Sequence, residues 1–491
     1  MHWIDISIFV FYMIGMLAVG YYFLRRNKTE SDYYVSGRNM GPWHIGLSVV
    51  ATDVGGGFSI GLGGLGFVMG LSGSWMLFTG LLGAWLSAVW LIPKVIHVGR
   101  EKEFLTFPQM MGHFFNQRVA LLAAVISAIG YLGFTSSQLL AGAKLASATV
   151  PEISLHTALL VMGFIAVVYT AFGGLKAVIY TDTFQWALLL AGLIFIGIPM
   201  AYIAVGGMEA ITAVIGSEML AFSNISPWQL LNWAVTIIPI WFIGMTLYQR
   251  IYASRDEKSA RKAWYIAGFF EWPVMALMGV ALGLLARVAA EQGLFSPLGF
   301  ATAAGVDPET GLPMLLSTIL PVGLMGLMLA AYFSAILSTA DSCLMAASGN
   351  LQTDILGRWL RKGVTAKSGL YISQAITLVL GAGAVWLAWR MTNVLELMLY
   401  SYAFMVSGMF VPVIAALFWR NARPTAAFWS MLAGGSVTLY LITAENNLPG
   451  GYQLPQYLDA NLFGITASLA VFVGLQWIPQ FKSLIISSQN S

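Results

Sequence analysis

The sequence predicts an all-α polytopic membrane protein, and three observations carry that prediction. Of its 491 residues, 58% are apolar and only 9% are charged, against about 25% charged in an average soluble domain. Its mean hydropathy is +0.78. Its 52 glycines and 17 prolines are spread through the apolar runs. A water-soluble enzyme of this length would expose far too much hydrocarbon, so that class is excluded. The single cysteine, Cys343, cannot form an intramolecular disulfide. Neither a phosphate-cradling G-x-x-x-x-G-K-[ST] loop nor an H-E-x-x-H pair occurs. ATP-driven pumping and metal-dependent hydrolysis therefore have no support, and no nucleic-acid partner is expected.

A spanning helix needs roughly 17–25 mostly apolar residues. Thirteen stretches fit: approximately 4–24, 43–70, 74–98, 119–148, 154–173, 181–203, 228–250, 263–287, 313–340, 369–389, 393–419, 425–444 and 461–479. The first lacks the charged start and small-residue cleavage site of a signal peptide and reads as a retained helix. The basic residues then orient the chain. Arg25, Arg26, Lys28 and Arg38 form one group, and Lys94, Arg100, Lys102 and Arg118 the next. They are followed by Lys176, by Arg250 to Lys262, by Arg358 to Lys367, by Arg420 and Arg423, and by Lys482. With thirteen spans all of these, 21 of the 24 basic residues, fall on one side. Only Lys144, Arg287 and Arg390 lie on or near the other. Positive charge stays cytoplasmic, which predicts an outside N-terminus and an inside C-terminus in a plasma (inner) membrane.

Two spans carry interruptions. In the second, Gly55, Gly56 and Gly57 follow Asp53 directly, and three consecutive glycines disfavour continuous helix. In the seventh, Pro239 removes a backbone donor. Each interrupted span is the first of five, so spans 2–6 and 7–11 read as two halves, about 43–203 and 228–420. An odd number of spans per half turns the second copy upside-down, and matched breaks of this kind point to a binding site. Helices 4–24, 425–444 and 461–479 are then peripheral to a single transporter domain of residues 1–491. A glycine-packed contact and a plain proline kink are the alternatives.

Charged residues within spans are costly and mark ion or solute paths. Asp53 sits beside the glycine break, where freed carbonyls could share a cation with it; capping the half-helix with its own side chain is the alternative. In the ninth span, Ala335, Ser338, Thr339 and Ser342 follow the i, i+3, i+4, i+7 pattern of one helical face, with Asp341 on its flank. Hydroxyls, carbonyls and a carboxylate suit a hard cation, while a Ser/Thr packing face bonded back to the preceding turn reads equally from the residues. Asp182 follows Gly173-Gly174 at the cytoplasmic end of the sixth span. Glu271 lies inside the eighth and is either a buried network member or part of an ion path. Glu396 reads as interfacial.

These segments together resemble the sodium/solute symporter family, whose members include sodium-coupled sugar, proline, sialic acid, choline, iodide and pantothenate carriers. The resemblance runs from about residue 30 to 425. Its motifs here are Ser36-Gly37-Arg38, the run from Gly173-Gly174 through Thr181-Asp182 to Gln185, Tyr248-Gln249-Arg250, and Ser338-Thr339-Ala340-Asp341-Ser342. The resemblance implies a five-plus-five inverted repeat with a sodium site between the second and ninth spans. Its ligands would be the carbonyls of Ala51, Val54 and Ala335 and the hydroxyls of Ser338 and Thr339, with Asp53 as the coupling carboxylate of proline-type members. A second sodium, as in sialic-acid-type members, would use Asp182, Ser338, Asp341 and Ser342, although Asp341 stands where those members use a hydroxyl. By position Phe58, Phe134, Gln138, Trp241 and Met245 would line the solute pocket, which suits an amino acid or short carboxylate better than a hexose.

The expected function is therefore sodium-coupled import of a small organic solute by alternating access. The protein would be a transporter and not an enzyme, with Na⁺ as the co-transported ion, no organic cofactor, and the solute and the lipid bilayer as its partners. Proton coupling through Asp53 or Asp341 on the same fold is one alternative. A transporter-like solute sensor is another, and such proteins usually carry an appended signalling domain.

Overall fold

The computed structural model describes residues 2–24, 34–150, 152–357, 366–444, 455 and 457–477. Among them every regular element is a helix. The long elements are α1 (Trp3–Leu24), α2 (Pro42–Met69), α3 (Trp75–Trp90), α4 (Gln117–Thr149), α5 (Leu155–Gly192), α6 (Pro227–Ile243), α7 (Met245–Ala253), α8 (Glu257–Phe269) and α9 (Ala276–Glu291). They continue as α10 (Pro308–Ile319), α11 (Leu324–Gly349), α12 (Ala366–Trp389), α13 (Val394–Phe418), α14 (Pro424–Ala444) and α15 (Ala460–Trp477). Ten described segments are long and apolar enough to cross a bilayer, eleven with the bent pair α6–α7 counted as one span. The thirteen read from sequence exceed this around the first helices. There α1 counts only as a shorter apolar helix, Trp3–Val19, and the second arm of α2 runs on with α3 as one stretch, Ile60–Trp90.

Helix α11 is the axis of the bundle. It is buried almost throughout and packs against α2, α4 and α5. Around it, α2 packs on α9, and α13 bridges α4 to the α14–α15 pair. The outer surface is apolar: Ile203 and Val379 are 75% and 72% exposed. An apolar exterior of this extent belongs against hydrocarbon.

The glycine interruption of α2 is present. Gly55 leaves the helical region (φ 6°, ψ −161°) and divides the helix into two arms. Just beyond it, Gly57-Phe58-Ser59-Ile60-Gly61 spells a G-x-S-x-G pattern, but it lies within the helix and not at the strand-to-helix elbow that exposes a hydrolase nucleophile. In the seventh span the break is displaced from its expected place. Pro239 sits inside α6, because the carbonyl its missing N–H leaves free, that of Val235, accepts Asn461 Nδ2 from α15 at 3.0 Å. The chain breaks five residues later at extended Gly244 (φ −63°, ψ 115°), with a 41° bend between α6 and α7.

Three further boundaries differ from the sequence reading. Helix α5 is continuous by hydrogen bonding to Gly192, yet the hydroxyls of Tyr169 and Thr181 lie 3.1 Å apart. Twelve residues of straight helix would separate them by about 18 Å, so the chain turns back between them and forms two arms, as the two predicted spans require. The stretch 313–340 is not one span. It divides into α10 and α11 around Gly323 (φ 90°), and Asp5 Oδ1 of α1 accepts the N–H groups of Gly323 (2.7 Å) and Gly326 (2.9 Å) at the start of α11. The eighth span is itself interrupted between α8 and α9, where Trp272 is extended (φ −138°, ψ 123°).

Candidate functional site

The break of α2 meets α11 directly. Thr339 Oγ1 donates to the carbonyl oxygen of Ala51 at 2.8 Å and lies 3.4 Å from that of Ala335, one turn back on its own helix. Close approach here depends on Gly55, since a Cβ at that position would overlap Thr339 Oγ1 and come within 2.7 Å of Gln138 Oε1. Interrupting the helix frees carbonyls that the i→i−4 ladder would otherwise occupy. The sequence-predicted residues Ala51, Ala335 and Thr339 are thus brought to one point. Val54 lies in the backbone one residue before the break; its side chain and that of Phe58 are outside the described residues.

Ser338, beside Thr339, faces the other way and donates to Asp182 Oδ1 at 2.5 Å. Asp182 is fully buried and also accepts the hydroxyl of Ser48. Arg250, equally buried, approaches it at 3.5 Å. The guanidinium donates from Nε to Ser48 Oγ at 3.0 Å, from Nη2 to Thr52 Oγ1 at 2.6 Å and to Ser342 Oγ at 2.7 Å, and from Nη1 to the Thr246 carbonyl at 3.2 Å. The Arg250 guanidinium, carried on the last turn of α7, therefore bridges α2, α5 and α11. Asp341 accepts the Thr170 hydroxyl from the first arm of α5. Of the four residues predicted for a second cation, Asp182 and Ser342 contact Arg250, Ser338 donates to Asp182, and Asp341 has a different partner, Thr170.

On the opposite flank of the break, Asp53 is buried and accepts Tyr402 OH at 3.3 Å. The Tyr402 ring meets Phe134 edge-on with centroids 4.8 Å apart. Gln138 is buried on α4, and its Oε1 accepts the Gly56 N–H at 2.7 Å, so it caps the second arm of α2. Trp241 packs over Gly83 of α3 and edge-on to Trp264. Of the residues expected to line the solute pocket, Gln138 touches the break directly, Phe134 meets it through Tyr402, and the recorded contacts of Trp241 are with α3 and α8. Met245 is directed elsewhere, its sulfur accepting the Phe107 N–H at 3.2 Å. Clefts of about 500 and 600 Å³ open beside Glu309 and Glu396 and beside Glu103 and Asp354, and neither is lined by the residues of the α2 break.

Arg250 is the functional residue that sequence reasoning misplaced, having grouped it with the cytoplasmic loop charges. A signal was available: Ser48 and Thr52 are spaced i, i+4 on α2, and the stripe on α11 offers Ser342 at the same depth, a hydroxyl-lined slot for one guanidinium. Tyr402 carried no such signal, because a lone tyrosine in an apolar span is ordinary.

A membrane bundle whose central interrupted helix presents open carbonyls to a hydroxyl-bearing neighbour is the architecture of a secondary transporter. The sequence model of the sodium:solute symporter family matches residues 33–434, and the chain belongs to that family. It is 25% identical over 491 residues to the high-affinity proline transporter PutP of Bacillus subtilis (strain 168), covering 96% of this chain and 98% of that one. It is 28% identical to the sodium/proline symporter of Escherichia coli (strain K12), covering 87% and 85%. It is also 25% identical to sodium/glucose cotransporter 1 of Oryctolagus cuniculus, covering 88% and 70%. Among solved structures, the fold matches a Na⁺-coupled sialic acid symporter in a substrate-bound outward-open state with a TM-score of 0.79, at 20% identity and 96% coverage of both chains. The protein is a multi-pass membrane transporter and not an enzyme.

Proposed function

We propose that this chain couples the sodium gradient to the import of a small amino or imino acid by alternating access. The observation that carries the reading is the 2.8 Å contact of Thr339 Oγ1 with the Ala51 carbonyl across the α2 break. Sodium would insert among the carbonyls of Ala51, Val54 and Ala335 and the hydroxyls of Ser338 and Thr339, replacing these direct contacts and fixing α2 against α11. Asp53, two residues before Gly55 at the same break, would link that event to solute bound among Phe58, Phe134, Gln138 and Trp241. A partly apolar lining and relatives named as proline carriers support an amino or imino acid over a hexose.

In this reading residues 1–491 form one transporter domain of thirteen spans. Its inverted halves lie near 43–203 and 228–420, with the N-terminus outside and the C-terminus in the cytoplasm. The second-cation set of Asp182, Ser338, Asp341 and Ser342 is assigned no ion, because Arg250 already brings a positive charge to Asp182 and Ser342. The test is uptake of labelled proline into proteoliposomes with an inward sodium gradient and no pH gradient, screened beside other amino acids, short carboxylates and sugars. Accumulation that needs sodium supports the reading. Accumulation driven by a pH gradient in sodium-free buffer overturns it.

A further inference from the structure

The cleft of about 500 Å³ beside Glu396 lies where α6, α13 and α15 begin and α14 ends. It is separate from the α2 break: Ala403 of α13 lines the cleft, while the preceding residue, Tyr402, turns to Asp53. Its walls are apolar, with Leu399 and Ala403 on one side and Leu441 and Ile442 of α14 on another. Its charged groups are all acids. Glu309 is satisfied by Lys144 and two backbone N–H groups of α13. Glu396 has only neutral donors, Asn393 Nδ2 at 3.0 Å and Tyr400 OH at 2.6 Å. Asp459, exposed at the rim, is positioned by its own N–H, which donates to Asn232 Oδ1 at 3.4 Å. Its carboxylate has no recorded partner among the described residues.

Deeper in the cleft, Asn461 is fully buried. Its Nδ2 donates to the Val235 carbonyl and to Thr236 Oγ1, each at 3.0 Å, but its Oδ1 accepts nothing among the described residues. A buried acceptor left open is uncommon and points to a missing donor. Among the described residues no lysine, arginine or histidine lines the cleft, and the sequence 445–459 that joins α14 to α15 contains none. Nor do three acidic, histidine or cysteine side chains gather to hold a metal ion among the described residues. Two acids short of a cation, an amide oxygen short of a donor and apolar walls between them suit a cation that carries N–H groups on a hydrocarbon body. A protonated primary amine brings a charge and three donors to such a set. An amino acid suits it less well, because its carboxylate would face Glu396 and Asp459 with no basic side chain to receive it.

We propose that this cleft binds a small organic amine, a protonated primary amine on an alkyl or aryl body without a carboxylate, through Glu396, Asp459 and Asn461 Oδ1. The proposal stands on the cleft and not on the sodium-coupled reading, so binding is measured in sodium-free buffer. Saturable binding of ¹⁴C-labelled phenethylamine to the purified full-length protein is compared for wild type, Asp459→Asn, Asp459→Lys, Glu396→Gln and Asp53→Asn. Wild type should bind one equivalent, and phenylalanine or phenethyl alcohol should displace it on the order of tenfold less well than unlabelled phenethylamine. Asp459→Asn and Glu396→Gln should each weaken binding on the order of tenfold. Asp459→Lys, which supplies a resident cation at an exposed position, should abolish it. Wild type alone also decides: no saturable binding, or equal displacement by phenylalanine or phenethyl alcohol, overturns the proposal whether or not a variant folds. Unchanged affinity in Asp459→Lys overturns it as well. Loss of binding in Asp53→Asn with Asp459→Lys unaffected would place the amine at the α2 break and overturn it equally. Sodium coupling survives each of these failures and falls only on the uptake test above.

Discussion

Two buried acidic centres flank the interrupted helix α2, and they are built in opposite ways. Asp182 is enclosed by the Ser48 and Ser338 hydroxyls and faced by Arg250, whose remaining donors are used on Thr52, Ser342 and the Thr246 carbonyl. Asp53 is buried with a single phenol, Tyr402, donating to its Oδ1, and its Oδ2 has no hydrogen-bond partner among the described residues. The first centre is complete with the chain's own groups. The second is complete only with something added. A buried charge with a resident partner holds helices together, whereas a buried charge without one marks a place where an ion arrives.

Breaking the satisfied centre should have the largest effect. Arg250→Met leaves Asp182 buried without its cation, which costs on the order of 3–5 kcal/mol. Loss of folded protein in detergent, read by size exclusion and by thermal unfolding, is the expected result. Adding Asp182→Leu should recover part of that loss, since replacing both members of a buried ion pair by apolar groups is often close to neutral. An Arg250→Met protein as stable as wild type would remove the distinction between the two centres.

Next comes the joint between them. Gly55→Ala would drive a methyl group into the Thr339 hydroxyl and the Gln138 amide. The protein should still insert, because the apolar character of its spans is unchanged, but sodium-driven uptake should vanish. At the open centre, Asp53→Asn keeps the size and one oxygen ligand and removes the charge. Folded protein should remain at wild-type level while the sodium concentration for half-maximal uptake rises on the order of tenfold, about 1.4 kcal/mol. Asp53→Glu should be poor as well, because the longer side chain crowds the break.

These expectations also show how far the residues themselves were readable. Three consecutive glycines announced the α2 break, because each lowers helix propensity by about 1 kcal/mol relative to alanine. Pro239 announced a break that the fold repairs: a side chain from residue 461 takes over the orphaned carbonyl, and nothing local to Pro239 foretells it. Gly244, a lone glycine in an apolar run, gave no warning. The small-and-hydroxyl stripe of α11 was visible as a pattern, and Thr339 does turn to the Ala51 carbonyl. The pattern could not say that Ser338 and Ser342 turn to Asp182 and Arg250, since that depends on where α5 and α7 cross the bundle. Nothing in the sequence marks Asp5, yet it accepts the Gly323 N–H at the start of α11, 318 residues away.

A smaller effect sharpens the same contrast at the end of the bundle that carries Lys144. Glu309 is buried and accepts Lys144 Nζ at 2.8 Å together with the N–H groups of Val394 and Leu395 at the start of α13. Like Asp182 it is fully partnered, so Glu309→Ala should cost roughly 2 kcal/mol of stability and leave sodium affinity close to wild type. Smallest is Asp256, the exposed N-cap of α8, which accepts the Ser259 N–H at 2.6 Å. That hydrogen bond holds its carboxyl below the usual range. Its contribution is present above the ordinary aspartate pKa and is lost as pH falls through the lowered value. Asp256→Ala should cost about 1 kcal/mol at neutral pH, and that difference should shrink in acid.

The central claim is that the contact between α2 and α11 is where transported sodium sits, and Thr339→Ala tests it most directly. The substitution removes one hydroxyl from a helix already rich in small residues, so folding should be little disturbed. The measurement is solute uptake into proteoliposomes across a range of sodium concentrations, at equal protein incorporation. A half-saturating sodium concentration raised on the order of tenfold, with maximal uptake recovered at high sodium, is the predicted result. A half-saturation equal to wild type at the same protein level would contradict the account.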